Sequence, residues 1–181
     1  MIKQVDNPLS RQEANYIEQM VSGKFFPWYY FDNVHNVENG SSVTHGFQHT
    51  VIDNGKENSS VCEIAKSITH SVADSAGIKI GSIYHLRFNL LTKQQVNVQP
   101  HFHTDLFPYF YAQNPHLGKH YSGIYYINDS DGCTLFEGLE TKIEPRKNTG
   151  VIFDGTMMHS ASYPMKNQIR LVLNMNFFEA T

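Results

Sequence analysis

The sequence predicts a mainly β protein, a sandwich or jelly roll, with helices from the N-terminal part packed against one sheet. From residue 78 onward, about eight short β runs follow one another, separated by turn signals such as Asn128-Asp129 and Asp154-Gly155. Two segments ahead of these runs have the apolar spacing of helices. The chain has 181 residues, 40% of them hydrophobic, which is enough for one sizeable core. We therefore expect a single domain over residues 1–181.

The first predicted helix begins after Ser10. The side chain of Ser10 can cap this helix, and Glu13 stands three positions later, as in a capping box. Tyr16, Ile17 and Met20 follow at helical spacing and should form the apolar face.

The second predicted helix follows Ser59-Ser60. Apolar side chains from Val61 to Ala76 repeat with the period of a helix, and Gly77 is expected to end it. Between the two helices, the aromatic segment 23–34 is expected to be a strand or a loop packed against the core. We thus divide the chain into a helical and aromatic N-terminal support, residues 1–77, and a jelly-roll core, residues 78–178.

Composition argues against several protein classes. The chain has 17 acidic and 14 basic residues, a net charge of −3, without the clustered positive charge that nucleic-acid binding needs. No apolar run reaches the roughly 18–20 residues that cross a bilayer, and the N-terminus lacks a signal-peptide pattern. Cys62 and Cys133 do not form a disulfide framework pattern. We expect a cytoplasmic protein that binds neither nucleic acid nor membrane.

The segment His101-Phe102-His103-Thr104-Asp105 carries the strongest chemical signal. Residues two apart on a strand share a face, so His101, His103 and Asp105 can all point to one side. Three ionisable side chains on one face do not belong in a packed core unless a ligand, such as a divalent metal, satisfies them. The alternative is a set of solvent-facing residues at the end of a strand.

Two later residues extend this pattern. His159 follows the Asp154-Gly155 turn, and Arg170 lies inside the apolar run of residues 169–173. Burying an unpaired guanidinium is costly, so Arg170 needs a carboxylate or comparable acceptors. No acidic residue in the run supplies one, and the sequence therefore predicts a bound anion. The alternative is a salt bridge to a distant Asp or Glu.

An HxD pair, a distal His and an Arg in the final strand form an ordered set. Two His and one carboxylate on one side of a metal are typical of non-haem Fe(II) oxygenases. The sequence here resembles the 2-oxoglutarate- and Fe(II)-dependent dioxygenases, and within them the small prolyl-hydroxylase-like branch of bacterial and phage type. The resemblance covers about residues 78–178 and includes the segments IYYIND, DGCTLF and RLVLNMNF. Departures are Gly132-Cys133, where the family often has Gly-Gly, and the polar Asn174 and Asn176, where related hydroxylases often carry an aromatic.

The resemblance implies a double-stranded β-helix and a site in two parts. The first part holds Fe(II), and its ligands are His103, Asp105 and His159. The second part holds the cosubstrate 2-oxoglutarate, and its residues are Arg170, Tyr126, Thr134 and Asn174. With O2, and with ascorbate as a reductant, such an enzyme hydroxylates a C–H bond of a peptide, protein or small molecule and releases succinate and CO2.

Other interpretations stay open at this point. If His101 and His103 were the ligand pair, the segment would resemble a cupin, a metalloprotein with Zn or Mn and non-oxygenase chemistry. Cupins usually supply a Glu four or five residues later, whereas the first Glu after His103 is Glu137. A non-catalytic jelly-roll binding module is the other alternative.

The remaining polar residues receive lesser predictions. Residues 106–121, which contain His116 and His120, are expected to form a loop that covers the site as a lid. His45 and His49 are expected to be exposed or structural. No role is assigned to Arg87.

Overall fold

The structure is a computed structural model that describes residues 1–31, 45–95, 101–106, 108–114 and 116–181. Its helices are α1 (Arg11–Ser22), α2 (Cys62–Ser75) and α3 (Pro108–Gln113). Its strands are β1 (Ile2–Asp6), β2 (Tyr29–Phe31), β3 (Gly46–Asp53), β4 (Lys56–Glu57), β5 (Ile80–Thr92), β6 (His120–Tyr126), β7 (Thr134–Phe136), β8 (Lys142–Ile143), β9 (Thr149–Asp154), β10 (His159–Ala161) and β11 (Ile169–Glu179).

The strands form two antiparallel sheets. In the described ranges, the large sheet has the order β1-β9-β6-β11-β5-β3-β2, with β4 paired to β3, and the small sheet has the order β10-β7-β8. The first strand, β1, pairs with β9, and β3 pairs with β5, so the N-terminal 77 residues contribute strands to the large sheet. The mainly β fold with helices against one sheet is confirmed, while the division into support and core stays a prediction.

The large sheet packs its two faces against different partners, because successive side chains of a strand alternate between faces. On β11, Leu171 and Leu173 belong to the core beneath α1 and α2. Val172, between them, belongs to a second cluster with Tyr126 and Phe136, which lies between the two sheets. One face of the sheet therefore packs against the helices, and the other face can line a functional site.

Helix α1 begins where the sequence predicts. Ser10 accepts a hydrogen bond from the backbone N–H of Glu13 at 3.2 Å, and the Glu13 carboxylate accepts one from the backbone of Ser10 at 2.9 Å. This reciprocal pair satisfies two of the N–H groups that a helix start leaves open. Ile17 is buried, but the expectation for Tyr16 is wrong: its side chain is 58% exposed.

Helix α2 also lies in the predicted segment. Its apolar face is buried on the large sheet, with Ala65, Ile68 and Val72 at 1% exposure or less. Gly77 ends it with a φ of +69°, and the next backbone N–H, that of Ile78, donates to the carbonyl of Ala73 at 2.9 Å. Glycine adopts this left-handed conformation without steric cost, which makes it a common helix stop.

The aromatic segment agrees only in part with its prediction. Phe26 and Trp28 pack against the core, but Tyr29 and Tyr30 on β2 are about 60% exposed (61% and 60%) because this strand is at the edge of the large sheet. Residues 32–34 of the segment lie outside the described residues.

Two further differences concern the elements near the site. Residues 101–106 form no strand; only His103 makes a β-bridge, so the expected strand over residues 97–105 is wrong in its described part. Residues 96–100 lie outside the described chain, as do 107 and 115 of the expected lid. The described part of that lid contains the helix α3 instead of loop alone.

Neither cysteine is in a disulfide, and both Cys62 and Cys133 are buried. Within the described part of the chain, no helix combines the length and the apolar character that crossing a bilayer requires.

Candidate metal centre

His103 and His159 come from distant parts of the chain and are joined by backbone hydrogen bonds. The N–H of His103 donates to the carbonyl of His159 at 3.0 Å, and the reverse bond is 2.9 Å. Because bridged residues stand directly opposite each other, their side chains lie side by side, with ring centroids 4.7 Å apart. A single bridge between residue 103 and β10 thus positions two imidazoles.

Asp105 completes a converging group. Its carboxylate oxygens lie 3.9 Å from Nε2 of His103 and 3.7 Å from Nε2 of His159, and one potential ligand atom from each residue lies within 4.8 Å of the others. These separations are too long for hydrogen bonds, so the three groups surround a common point instead of pairing. Two imidazoles and one carboxylate on one side suit a divalent first-row metal such as Fe(II).

The hydrogen bonding of His159 is compatible with metal binding. Its Nδ1 lies 3.1 Å from the carbonyl oxygen of Met157, and only a protonated Nδ1 can donate there. This places the proton on Nδ1 and leaves the lone pair of Nε2 directed to the centre.

Burial and neighbouring charges both act on the ionisable groups of the centre. Burial, together with the adjacent His159, lowers the pKa of His103. Burial would raise the pKa of Asp105, but the two imidazoles and a hydrogen bond from Ser122 outweigh it, and the pKa lies below its ordinary value. The centre therefore offers a carboxylate and a neutral imidazole at neutral pH, which are the forms that bind metals.

A chain of polar groups supports the back of Asp105. Ser122 Oγ donates to Oδ2 of Asp105 at 2.6 Å and lies 3.1 Å from the amide of Asn176. The same amide lies 3.0 Å from Nε2 of His120, and Nδ1 of His120 lies 2.7 Å from the hydroxyl of Tyr111 on α3. The atom of this amide that faces both Ser122 and His120 is Oδ1 of Asn176, a hydrogen-bond acceptor.

Arg170 is the second part of the site. It is 2% exposed; Nε donates to the carbonyl of Gly132 at 3.0 Å, and Nη2 donates to Oγ1 of Thr134 at 3.0 Å. The hydroxyl of Tyr126 lies 2.7 Å from the same Oγ1. No carboxylate in the described ranges forms an ion pair with Arg170, so the structure does not support the salt-bridge alternative. Burial lowers the pKa of its guanidinium, as expected for a cation without a counterion.

One cavity joins the two parts. It encloses about 560 Å³ including its open mouth, and its lining contains His103, Asp105, His159, Arg170 and Asn174. Tyr126 and Thr134 are fully buried and reach the cavity through their contacts with Arg170.

Other predicted histidines lie outside this group. His101, which is half-buried, is not part of the converging set. His116 is exposed, His120 supports Asn176, and His49 bonds to the carbonyl of Pro27 at 2.8 Å in a structural role.

The sequence analysis missed four polar residues of the cavity lining. These residues are Gln48, Arg87, Asn89 and Ser160. The signal for Arg87 was the same as for Arg170, a charged residue within an apolar strand, and that signal could have identified it.

A second group of potential ligands, Glu57, Cys62 and Glu63, lies at the start of α2. The ammonium group of Lys66 pairs with both carboxylates there, and burial raises the pKa of the Cys62 thiol. An ammonium bound to both acids and a protonated thiol do not suit a metal ion.

Comparison with known proteins gives similarity at the level of structure. No protein-family model matches the chain, and no curated protein does. An oxidoreductase of the 2OG-Fe(II) oxygenase family from Burkholderia pseudomallei is similar over 98% of this chain and 84% of its own, with a TM-score of 0.67 and 13% identity. A prolyl-4-hydroxylase from Pseudomonas putida is similar over 99% and 92%, with a TM-score of 0.61 and 14% identity.

A third similar structure is a prolyl hydroxylase in complex with a hypoxia inducible factor oxygen degradation domain peptide fragment from Trichoplax adhaerens. The similarity covers 98% of this chain and 83% of that one, with a TM-score of 0.65 and 14% identity. The conclusion rests on the two packed antiparallel sheets and on structural similarity to these proteins over nearly the whole length of the chain. The chain has the jelly-roll fold of the 2-oxoglutarate- and Fe(II)-dependent oxygenases.

Proposed function

We propose that this protein is an Fe(II)- and 2-oxoglutarate-dependent dioxygenase that hydroxylates a C–H bond of its prime substrate and releases succinate and CO2. The observation that carries the proposal is the pairing, within one cavity, of the His-Asp-His group with a buried arginine that has no carboxylate partner among the residues that the structure describes. Its fold, that of the similar oxygenases, supports the same activity.

The His-Asp-His group is suited to hold ferrous iron. Two neutral imidazoles and the carboxylate of Asp105 leave one positive charge on the bound ion, which favours a dianionic cosubstrate. Iron when bound supplies the redox chemistry of oxygen activation. The chain holds His159 in the required tautomer and fixes Asp105 through Ser122.

Arg170 is suited to bind the distal carboxylate of 2-oxoglutarate. A guanidinium has five N–H donors; Gly132 and Thr134 take two of them, Tyr126 is a further neighbour, and the remaining donors suit a planar carboxylate. Thr134 and Tyr126 hold the guanidinium in place, and Thr134 can contact the ligand. Asn174 on the same face of β11 contributes an amide to the middle of the cavity.

The cupin alternative is not favoured. It needs His101 and His103 as a ligand pair, whereas the converging group contains Asp105 instead of His101. The prime substrate is a peptide or protein side chain, or a small molecule. Ascorbate as a reductant and a cytoplasmic location, which suits two free thiols, remain part of the proposal.

The test is succinate formation from 2-oxoglutarate by purified protein supplied with Fe(II) and O2, with and without ascorbate. We expect slow turnover in the absence of prime substrate. His103→Ala should abolish it, while the matched control His101→Ala should retain turnover. Calorimetry with Mn²⁺ measures the loss of metal binding in both variants, and their urea unfolding curves separate this loss from misfolding. Retained turnover in His103→Ala, or its loss in His101→Ala alone, would contradict the ligand assignment.

A further inference from the structure

Strand β5 places a second arginine in the cavity. Antiparallel partners lie on the same face of a sheet, and Arg87 is paired with Asn174 of β11, while Asn89 is paired with Gln48 of β3. Arg87, Asn89 and Gln48 all line the cavity. They lie on β5 and β3, which follow β11 in the sheet, whereas β6 lies on the other side of β11. A polar surface thus continues from the metal group toward the β3 edge.

Three buried polar atoms of this surface have no hydrogen-bond partner within the described residues. They are Nε of Arg87, Oδ1 of Asn89 and Oγ of Ser160. Buried polar atoms are nearly always satisfied, and an exception calls for an explanation such as an absent ligand. The Nε–H of Arg87 and the hydroxyl of Ser160 can donate to a carboxylate, and Oδ1 of Asn89 can accept a hydrogen bond from a donor group of the same ligand.

The charge balance of the cavity indicates an anion. Asp105 is the carboxylate among the cavity-lining residues, and it faces the imidazoles of the metal group. A divalent ion with Asp105, Arg170 and Arg87 carries three positive charges, of which dianionic 2-oxoglutarate neutralises two. One positive charge remains for another ligand.

The backbones of Arg87 and Arg170 are well separated along the sheet, and this separation points to two different anions. Arg170 is paired with Leu91, and Arg87 lies four residues farther along β5. At about 3.3 Å per residue, this is about 13 Å along the sheet. Arg170 therefore binds the distal end of the cosubstrate, and Arg87 is left for a different anion.

We propose that Arg87, with Ser160, binds a carboxylate of the prime substrate while Oδ1 of Asn89 accepts a hydrogen bond from that substrate, which makes the substrate an acidic small molecule or an acidic peptide. The proposal rests on the proposed dioxygenase function and names the substrate class of the same site. No bond is made or broken by these residues; they orient the substrate above the metal.

The four arginines of the chain, Arg11, Arg87, Arg146 and Arg170, allow a direct test. In protein with ¹⁵N-labelled arginine, loaded with Zn²⁺ and 2-oxoglutarate, four Nε–H signals are expected, and Arg87→Gln and Arg170→Met assign two of them. N-acetylglutamate should shift the Arg87 signal in a saturable manner, and N-acetylglutamine amide, which has no carboxylate, should not. 2-Oxoglutarate alone should shift the Arg170 signal.

A second arm identifies the source of the carboxylate. A capped hexapeptide with a central Glu is compared with N-acetylglutamate; at least tenfold tighter binding of the peptide indicates a peptide substrate, and the reverse order a small acid. Arg87→Gln should weaken the tighter probe about tenfold or more, and the exposed-surface control Arg146→Gln should not.

Three results would overturn the proposal. Equal shifts with acid and amide would show that no carboxylate is recognised. No shift of the Arg87 signal with either acid would exclude a carboxylate site. A shift of the Arg87 signal by 2-oxoglutarate, with weaker cosubstrate binding in Arg87→Gln, would assign it to the cosubstrate. Failure of 2-oxoglutarate to bind at all would instead reject the dioxygenase function.

Discussion

Replacing Arg170 by Met separates ligand binding from stability. Hydrogen bonds to charged groups contribute about 1.5–3 kcal/mol each, so losing the contact with a carboxylate should cost about 3 kcal/mol, or about 100-fold in 2-oxoglutarate affinity. The fold should change far less. Burying a cation that has no counterion among the described residues is costly, and removing this cost offsets the loss at the carbonyl of Gly132, which loses its donor at about 1–3 kcal/mol.

The two effects can be read from one set of urea unfolding curves, with Mn²⁺-loaded protein and with or without 2-oxoglutarate. At 100 times its dissociation constant, the ligand should stabilise the wild type by about 2.7 kcal/mol. The same concentration would only equal the dissociation constant of Arg170→Met, and should stabilise that variant by about 0.4 kcal/mol.

The control for this experiment is Arg146→Met. Arg146 is an exposed arginine that pairs with Asp6 at 2.9 Å, and such surface pairs contribute little. It should keep the full ligand stabilisation. If Arg170→Met also kept it, Arg170 would not bind the cosubstrate; if that variant failed to fold, the guanidinium would be structural.

Three other variants test the surroundings of the site. Ser122→Ala removes the hydrogen bond to Asp105 and should weaken metal affinity about 10-fold, measured by anaerobic competition with a chelator; an unchanged affinity would contradict the supporting role. Gly155→Ala would place a Cβ 1.8 Å from Nδ1 of His120, and should destabilise the fold by about 1–3 kcal/mol in urea unfolding. Burial would raise the pKa of Asp154, but hydrogen bonds from Thr156 and Lys119 lower it to about 2. The ionised Asp154 therefore stabilises the fold at pH values above the pKa that this residue has in the unfolded chain, and the contribution should fall as the pH drops toward 2. The variant Asp154→Asn should lack that fall.

Much of the architecture could be predicted because it depends on local chemistry. The capping pair of Ser10 and Glu13 and the stop at Gly77 are signals of a few residues, and the structure contains both helices. Strand β1 was not predicted, because a five-residue strand that pairs with β9 has little local pattern. Exposure of Tyr16 likewise depends on how α1 packs, which its spacing alone does not define.

The site was predictable to the extent that its residues stand out from their strands. His103, Asp105, His159 and Arg170 were singled out as polar residues without a local explanation, and the structure places them in one cavity. Their ligand roles stay predictions. The prediction that 103 and 105 share a regular strand was wrong, because one bridge to His159 is enough to position them.

The support behind Asp105 could not be predicted from sequence. Ser122 looks ordinary in its strand, and Asn176 stands out only as a departure from the family pattern. The two meet only because β6 and β11 pair in a register that places residue 122 opposite residue 176. Arg87 is different, since the sequence shows it, like Arg170, as a charged residue within an apolar strand. A charge in an apolar strand should be treated as a candidate ligand contact at every occurrence.

The two faces of β11 have different contacts, and this difference explains how a polar cavity can exist in the middle of the large sheet. Leu171 and Leu173 pack against the helical layer, and the alternate residues Arg170 and Asn174 face the cavity. Because the apolar face supplies the stability, the other face can hold a buried cation that a ligand must satisfy. Substitutions on the cavity face should therefore change ligand binding more than folding, and substitutions such as Leu173→Ala should do the reverse, since a buried Leu→Ala change costs about 2–5 kcal/mol.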